Sequence, residues 1–444
     1  MTELEPERTR IPTLGRCRIE SPLQRMLSGT HGPRFIDEAE RVLVQDRTVA
    51  GGEHSEEICN GAGFERAGPR AHIYFEPAKV RCGIVTCGGL CPGVNDVIRG
   101  LVSALWNRYG VRHIVGFRYG LQGFIPEYGH SVIELTPADV HGIHQTGGTL
   151  LGTSRGRQDI EQVVDCLERM NLGVLFVVGG GGTMRAAVAM SELLAARELK
   201  TVVVGIPKAI DNDLMFIDQS FGFETAYSEA VKSIRTAHVE AAGAPHGVGL
   251  VRLMGRHSGF IACHATLASG AVNFTLIPEV PFQIHGEGGL LAQLEQRLDH
   301  HGHAVIVAAE GAGLHLPSRS ECPPSLSGAI SVPREDVGDL LKAEIGSYFA
   351  RRKGIELNLK YVDPSYDIRS VPASASDSIY CLRLAQSAVH AAMCGKTAMV
   401  VGRWHGSLVH VPMTVAAAGR RQVDPRGDLW LSVLEDTGQP ASWQ

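Results

Sequence analysis

The chain has 444 residues, too many for one compact core, so two domains are expected. Hydrophobic residues at 44%, charged residues at 20% and a net charge of −5 fit a globular protein and give no electrostatic reason to expect nucleic acid or a membrane surface as partner. No run approaches the roughly 20 apolar residues of a membrane span, and the start, Met1 to Glu7, is acidic without an apolar leader segment. The ten cysteines are dispersed rather than packed into a small framework, which reads as reduced thiols in a cytoplasmic protein.

Residues 1–75 are rich in Pro, Arg, Glu and Gly with little periodicity, and read as an irregular N-terminal arm. From Cys82 short β-rich runs alternate with helical stretches. Cys82–Thr86 is followed by a helix whose apolar face is Val97, Ile98, Leu101, Val102 and Leu105; His113–Phe117 follows, then Val174–Val178, a helix from Thr183 to about Glu198, and the strand from Thr201 to Ile206. A second set holds Val248–Leu253 and His303–Ala309; Ser318 to Asp336 reads as an exposed loop, and a helical pattern from Ser378 to Cys394 leads to the strand Ala398–Gly402. This alternation predicts two three-layer, Rossmann-like α/β domains with mainly parallel sheets and an active-site cleft between them. The expected domains are 76–222 with about 370–420, and 223–369 with about 421–444. Asp299-His300-His301-Gly302-His303 tempts as a metal cluster but reads better as a helix C-terminus.

Three glycine loops follow strands. Thr86 to Gly93 contains Gly88 and Gly89; Gly147 to Arg155 ends in a cation; Gly179-Gly180-Gly181-Gly182-Thr183 precedes a helix whose free amides Thr183 can cap. Backbone amides in such turns can approach anionic oxygens, and a helix N-terminus adds positive potential, so a nucleotide polyphosphate is favoured. A dinucleotide fingerprint is the competing reading. It is weakened because Met184 stands where the third glycine belongs. No Walker-type P-loop occurs anywhere.

The strand ending at Ile206 runs into Pro207-Lys208-Ala209-Ile210-Asp211-Asn212-Asp213. Two carboxylates one residue apart beyond a strand end suit phosphoryl transfer: one takes the proton of an attacking hydroxyl, the other orients that alcohol or helps to hold a cation. Met254-Gly255-Arg256 follows another strand, Glu310 ends a further one, and Tyr366 and Arg369 lie in a polar turn after Asp363-Pro364.

These segments, together with Leu151-Gly152-Thr153-Ser154-Arg155-Gly156, Phe221-Gly222-Phe223-Glu224-Thr225-Ala226, Ile277-Pro278-Glu279 and Leu359-Lys360-Tyr361, occur in an order that resembles the 6-phosphofructokinases, in particular the plant-type and long bacterial group. The resemblance runs from about Ile11 to Pro412. It implies a kinase that moves a phosphoryl group from ATP to the 1-hydroxyl of fructose 6-phosphate, with Asp211 as base and Asp213 beside it. Met254, Gly255, Arg256 and Glu310 would hold the sugar, Tyr366 and Arg369 its phosphate, and Lys360 would reach the site of a neighbouring subunit in a homo-oligomer, a dimer or tetramer. Gly88, Arg155, Gly179, Gly180, Gly181, Gly182, Thr183 and Lys208 would contact the donor. A small residue at Gly182 implies ATP, whereas Lys208 is shared with pyrophosphate users.

The chain departs from the family pattern at two places. Gly181 stands where the family carries an aspartate that helps to organise Mg2+, leaving Asp213 as the candidate metal ligand, and Ala209 stands where it carries a threonine. A slow kinase, one with altered donor or acceptor, a pyrophosphate-dependent enzyme and a non-catalytic regulatory homologue all remain open at this point.

Overall fold

The computed structural model describes residues 4–27, 34–45, 61–313, 316, 336–351 and 356–443. The loop expected over Ser318 to Asp336 lies outside them except for its last residue, as do Cys59 and Cys322. The chain divides into two compact units. One comprises 1–210, 214–224 and 369–420; the other comprises 211–213, 225–368 and 421–444.

The first unit is built on a nine-stranded sheet. Its centre is five parallel strands in the order Met399–Trp404, Val202–Pro207, Val174–Gly179, Arg81–Thr86 and His113–Phe117. Val174–Gly179 is buried at every position, as a strand covered on both faces must be, and its alternate residues feed two separate cores. Phe176 and Val178 pack with Leu101, Leu384 and Val389 from the helices Val94–Ala104 and Ala375–Met393. Leu175 and Val177 pack with Val163, Leu167, Met184 and Met190 from the helices Ile160–Arg169 and Gly181–Ala196. Three layers follow from that division.

The N-terminal arm is less irregular than its composition predicts. Gly63–Arg66 pairs antiparallel with Ser407–Pro412, and Arg41–Leu43 pairs with Gly63–Arg66, so the arm extends the sheet by two strands. The partner of Gly63–Arg66 across the join lies far away in sequence, and strands this short carry no readable alternation. An ionic cluster fastens the join, with Lys396, Glu65 and Arg70 buried and Glu38 exposed: Lys396 Nζ donates to Glu65 at 2.8 Å and to Glu38 at 2.9 Å, while Arg70 Nε donates to Glu38 at 2.8 Å. Burial opposes ionisation of Glu65, but His410 and Lys396 outweigh it and hold its pKa down at about 2.

The second unit carries an all-parallel four-stranded sheet in the order Phe274–Leu276, His303–Ala309, Gly247–Leu253 and Asn358–Val362. The helices Leu290–His301 and Val337–Ala350 cover one face through Leu294, Leu298, Leu341 and Ile345. Gly302 ends the first of these helices at φ 74°, where a residue without a Cβ is favoured, so the histidine run is a helix terminus. No helix among the described residues is long and apolar enough to cross a membrane, and the eight described cysteines are all free thiols.

Candidate active site

In the first unit the three glycine loops converge. Thr86 Oγ1, at the end of its strand, donates to Gly152 O at 2.8 Å, and Thr153 Oγ1 donates to Gly88 O at 2.5 Å, fastening the first and second loops together. Asn95 clamps the second loop, accepting from Leu150 N at 2.8 Å and donating to Thr146 O at 3.2 Å. Lys208 is buried and reaches the first loop, its Nζ donating to Gly89 O at 2.6 Å. A Cβ on Gly89 would lie 3.7 Å from both Arg155 Nη2 and Arg369 Nη1, so two guanidinium groups meet over this turn. Sequence order grouped Arg369 with the sugar-side residues, but its helix, Ser365–Ser370, crosses from one unit to the other and ends in the first. That helix also replaces the polar turn expected around Tyr366.

The helix after the four glycines starts two residues earlier than its composition suggests. It spans Gly181–Ala196, with Gly180 as an extended N-cap that has no side chain to offer. Thr183 therefore sits inside the first turn rather than capping it. The amides of that turn have no side-chain cap, and a helix start of this kind attracts anions through unsatisfied N–H groups and the helix dipole. Gly179 is excluded from carrying a side chain because a Cβ would collide with Thr183.

These elements line a cavity of about 740 Å³ whose walls are of mixed chemical character. Gly88, Gly89, Gly182, Thr183, Arg155 and Arg185 contribute polar and cationic lining; Leu121, Ile160, Ala186 and Ala189 contribute apolar lining. Cys87 also lines it, with burial pushing its thiol up to about 12, so it stays protonated. A ligand that joins a polyphosphate to a flat base matches this combination.

In the second unit Asp211 and Asp213 flank Asn212, which is buried at φ 56°. Ser258 Oγ donates to Asp211 O at 3.0 Å, and Arg421 N donates to Asp213 O at 2.8 Å, so both carboxylate-bearing residues are fixed through their backbones. Ser258 belongs to the turn that begins at Met254-Gly255-Arg256. Gly255 adopts φ 125°, and a Cβ there would fall 2.5 Å from Ser258 O; only glycine suits the position. Glu310 N donates to Leu253 O at 2.8 Å and Gly311 N to Gly255 O at 3.1 Å, which brings Glu310 beside the same turn. The structure thus gathers Asp211, the Met254–Arg256 segment and Glu310 into one neighbourhood. Arg256 is exposed, Tyr366 is 78% exposed, and Lys360 is exposed on the edge strand Asn358–Val362.

Arg252 is the group that sequence reading missed. It forms ion pairs with Glu310 (3.0 Å), Asp336 (2.9 Å) and Asp363 (3.0 Å), and its Nη1 lies 3.2 Å from Ser365 Oγ. Burial works against its charge, yet Asp336, Asp363 and Glu310 together hold its pKa above the ordinary arginine value. A lone arginine inside an apolar strand carries no sequence signal for partners so scattered. Glu279 was likewise seen only as part of a motif: its Oε1 accepts from Gly259 N and Val423 N, each at 2.9 Å, and so fixes the start of the helix Phe260–Ser269.

A phosphofructokinase family model matches residues 81–392. The chain is 49% identical over 440 residues to the ATP-dependent 6-phosphofructokinase of Amycolatopsis methanolica, covering 98% of this chain and 95% of that protein. It is 46% identical over 444 residues to the ATP-dependent 6-phosphofructokinase of Borreliella burgdorferi, covering 98% and 97%. It is also 46% identical over 381 residues to ATP-dependent 6-phosphofructokinase 7 of Arabidopsis thaliana, covering 86% and 78%. Among solved structures the fold matches that of the pyrophosphate-dependent phosphofructokinase from Marinobacter aquaeolei, with a TM-score of 0.64 at 20% identity over 82% of this chain and 93% of that one. With its α/β architecture and near-full-length similarity to these proteins, the chain belongs to the phosphofructokinase family.

Proposed function

We propose that the protein is an ATP-dependent 6-phosphofructokinase that phosphorylates the 1-hydroxyl of fructose 6-phosphate. The observation that carries this reading is the cavity of the first unit, lined by an uncapped helix start, by arginines and by apolar side chains suited to a base. The names of the relatives point the same way, each being ATP-dependent. In the proposed step Asp211 accepts the proton of the 1-hydroxyl as its oxygen bonds to the γ-phosphorus. The bond from that phosphorus to the bridging oxygen breaks, and ADP leaves with the electron pair. Lys208 and the amides of Gly181, Gly182 and Thr183 stabilise charge on the donor, while Arg256, Glu310, Tyr366 and Arg369 hold the sugar phosphate.

Magnesium would accompany the nucleotide, with Asp213 as the chain's own candidate ligand. The described residues that line the donor cavity include no carboxylate, and the first turn of the helix Gly181–Ala196 has no acidic residue, so that cavity does not fit a metal held by its own side chains. A cytoplasmic homo-oligomer in which Lys360 serves a neighbouring subunit belongs to the same proposal.

The test is turnover of fructose 6-phosphate with ATP, and separately with pyrophosphate, in the wild type and Asp211→Asn. The expected result is ATP-dependent turnover that falls by about 10²- to 10⁴-fold in the variant. Undiminished turnover in Asp211→Asn overturns the assignment of the base. Tight fructose 6-phosphate binding with no turnover from either donor favours the regulatory reading, to which the missing acid at Gly181 and missing hydroxyl at Ala209 lend weight.

A further inference from the structure

The donor cavity carries an unusual charge balance. Arg155, Arg157 and Arg185 all line it, and none of the three forms an ion pair among the described residues. The nearest acid in sequence, Asp159, is turned into its own helix, where it accepts from Glu161 N at 2.9 Å. Arg185 stands one turn into the helix Gly181–Ala196 and folds back over its start. Its Nη1 lies 3.8 Å from where a Cβ on Gly181 would be, and its Nη2 lies 3.9 Å from the same point on Gly182. The guanidinium thus lies beside the uncapped start of this helix, at ordinary van der Waals distance from positions 181 and 182.

A nucleoside triphosphate brought without metal carries about four negative charges, and a bound divalent cation removes two. A cavity that pairs uncapped amides with three unpaired guanidinium groups complements the more highly charged form. Arginine is suited to this because its planar fork binds phosphate oxygens through two parallel hydrogen bonds and stays charged at any working pH.

We propose that Arg185 is a donor-phosphate-binding residue that neutralises the β- and γ-phosphates directly, so that this site binds metal-free ATP about as well as the magnesium complex. The inference rests on the reading of this cavity as the donor site. It does not bear on whether a metal takes part in the transfer itself.

Equilibrium binding by calorimetry tests it on the intact protein, with ATP, ADP and AMP, in EDTA and in magnesium. For the wild type, Kd for ATP in EDTA is expected within about threefold of that in magnesium. Arg185→Ala should weaken metal-free ATP and ADP about 10- to 100-fold while leaving AMP within twofold, and Arg185→Lys should recover part of the loss. A purely structural role for Arg185 would move all three nucleotides together. Wild-type binding that requires magnesium, or an Arg185→Ala variant whose metal-free ATP affinity changes less than twofold, overturns the proposal. Ala189→Trp, which puts a bulky ring into the cavity from its apolar lining, separates the two levels of the argument. If it abolishes ATP binding while Arg185→Ala does not, only the role of Arg185 fails; if it leaves ATP binding intact, the cavity is not the donor site and both fall.

Discussion

Gly182→Asp should turn the protein away from ATP without disturbing its fold. A Cβ at 182 meets nothing within 4 Å except Arg185 Nη2 at 3.9 Å, and the position does not have the positive φ that would strain another residue, so the substitution is sterically free. The new carboxylate would project into the cavity beside the donor phosphates. At about 5 Å and an effective dielectric constant of about 20, repulsion from one phosphate charge is about 3 kcal/mol. Pairing with the exposed Arg185 returns about 1 kcal/mol at most. The net, about 2 kcal/mol, corresponds to a roughly 30-fold rise in Kd for ATP. Steady-state kinetics should therefore show KM for ATP rising by that order, KM for fructose 6-phosphate staying within about twofold, and pyrophosphate losing less than ATP because it does not extend as far along the cavity. An unchanged KM for ATP, in a protein whose melting temperature matches the wild type, would refute the placement of donor phosphates against this helix.

Gly181→Asp has room as well, with only Arg185 Nη1 and Leu214 near its Cβ, both at 3.8 Å; it should lower the magnesium concentration for half-maximal rate, and a titration with no shift would show the cation to be held elsewhere. Lys396→Met removes the ammonium that donates to the buried Glu65 carboxylate at 2.8 Å and should cost about 3–5 kcal/mol in chemical denaturation; a loss below about 1 kcal/mol would contradict the account of this join. Acid should weaken the first unit well before the carboxylates titrate. Burial holds the pKa of His390 down at about 4, so the folded state resists a proton that the unfolded state takes up near 6.5. That stability is present above about pH 6.5 and is lost as pH falls toward 4, amounting to about 3 kcal/mol. Melting temperatures across this window should flatten in His390→Gln, and an unaltered pH profile in that variant would remove His390 as the cause.

How much could be read beforehand depended on how local each signal was. The central strands were legible because burial on both faces demands continuous apolar runs, as in Val174–Gly179, and the helix Val94–Ala104 because its apolar residues recur at helical spacing. Gly63–Arg66 was not legible: a four-residue strand containing Glu65 and Arg66 becomes a strand only through Ser407–Pro412. The glycine loops and the paired aspartates announced phosphate chemistry by residue type alone. Arg252 and Arg185 did not, since an arginine in a strand and another on a helix look ordinary until Glu310, Asp336 and Asp363 are seen around the first and the bare start of the helix beneath the second. The error over Thr183 has a similar origin. A threonine before an apolar run resembles a cap, but Gly180 turns the chain into the helix first.

The join between the arm and the sheet bears on how this polypeptide is made. Glu65 and Lys396 are separated by 331 positions, and the strand that Gly63–Arg66 borders emerges later still. At a synthesis rate of about 5–20 residues per second, the early segment waits roughly 20 to 60 s for its mate. During that interval an unsatisfied β-edge protrudes from a half-built molecule, open to chaperones and to wrong partners. Nascent chains stalled before Met399 should accordingly be more prone to proteolysis at the arm than chains released after Pro412.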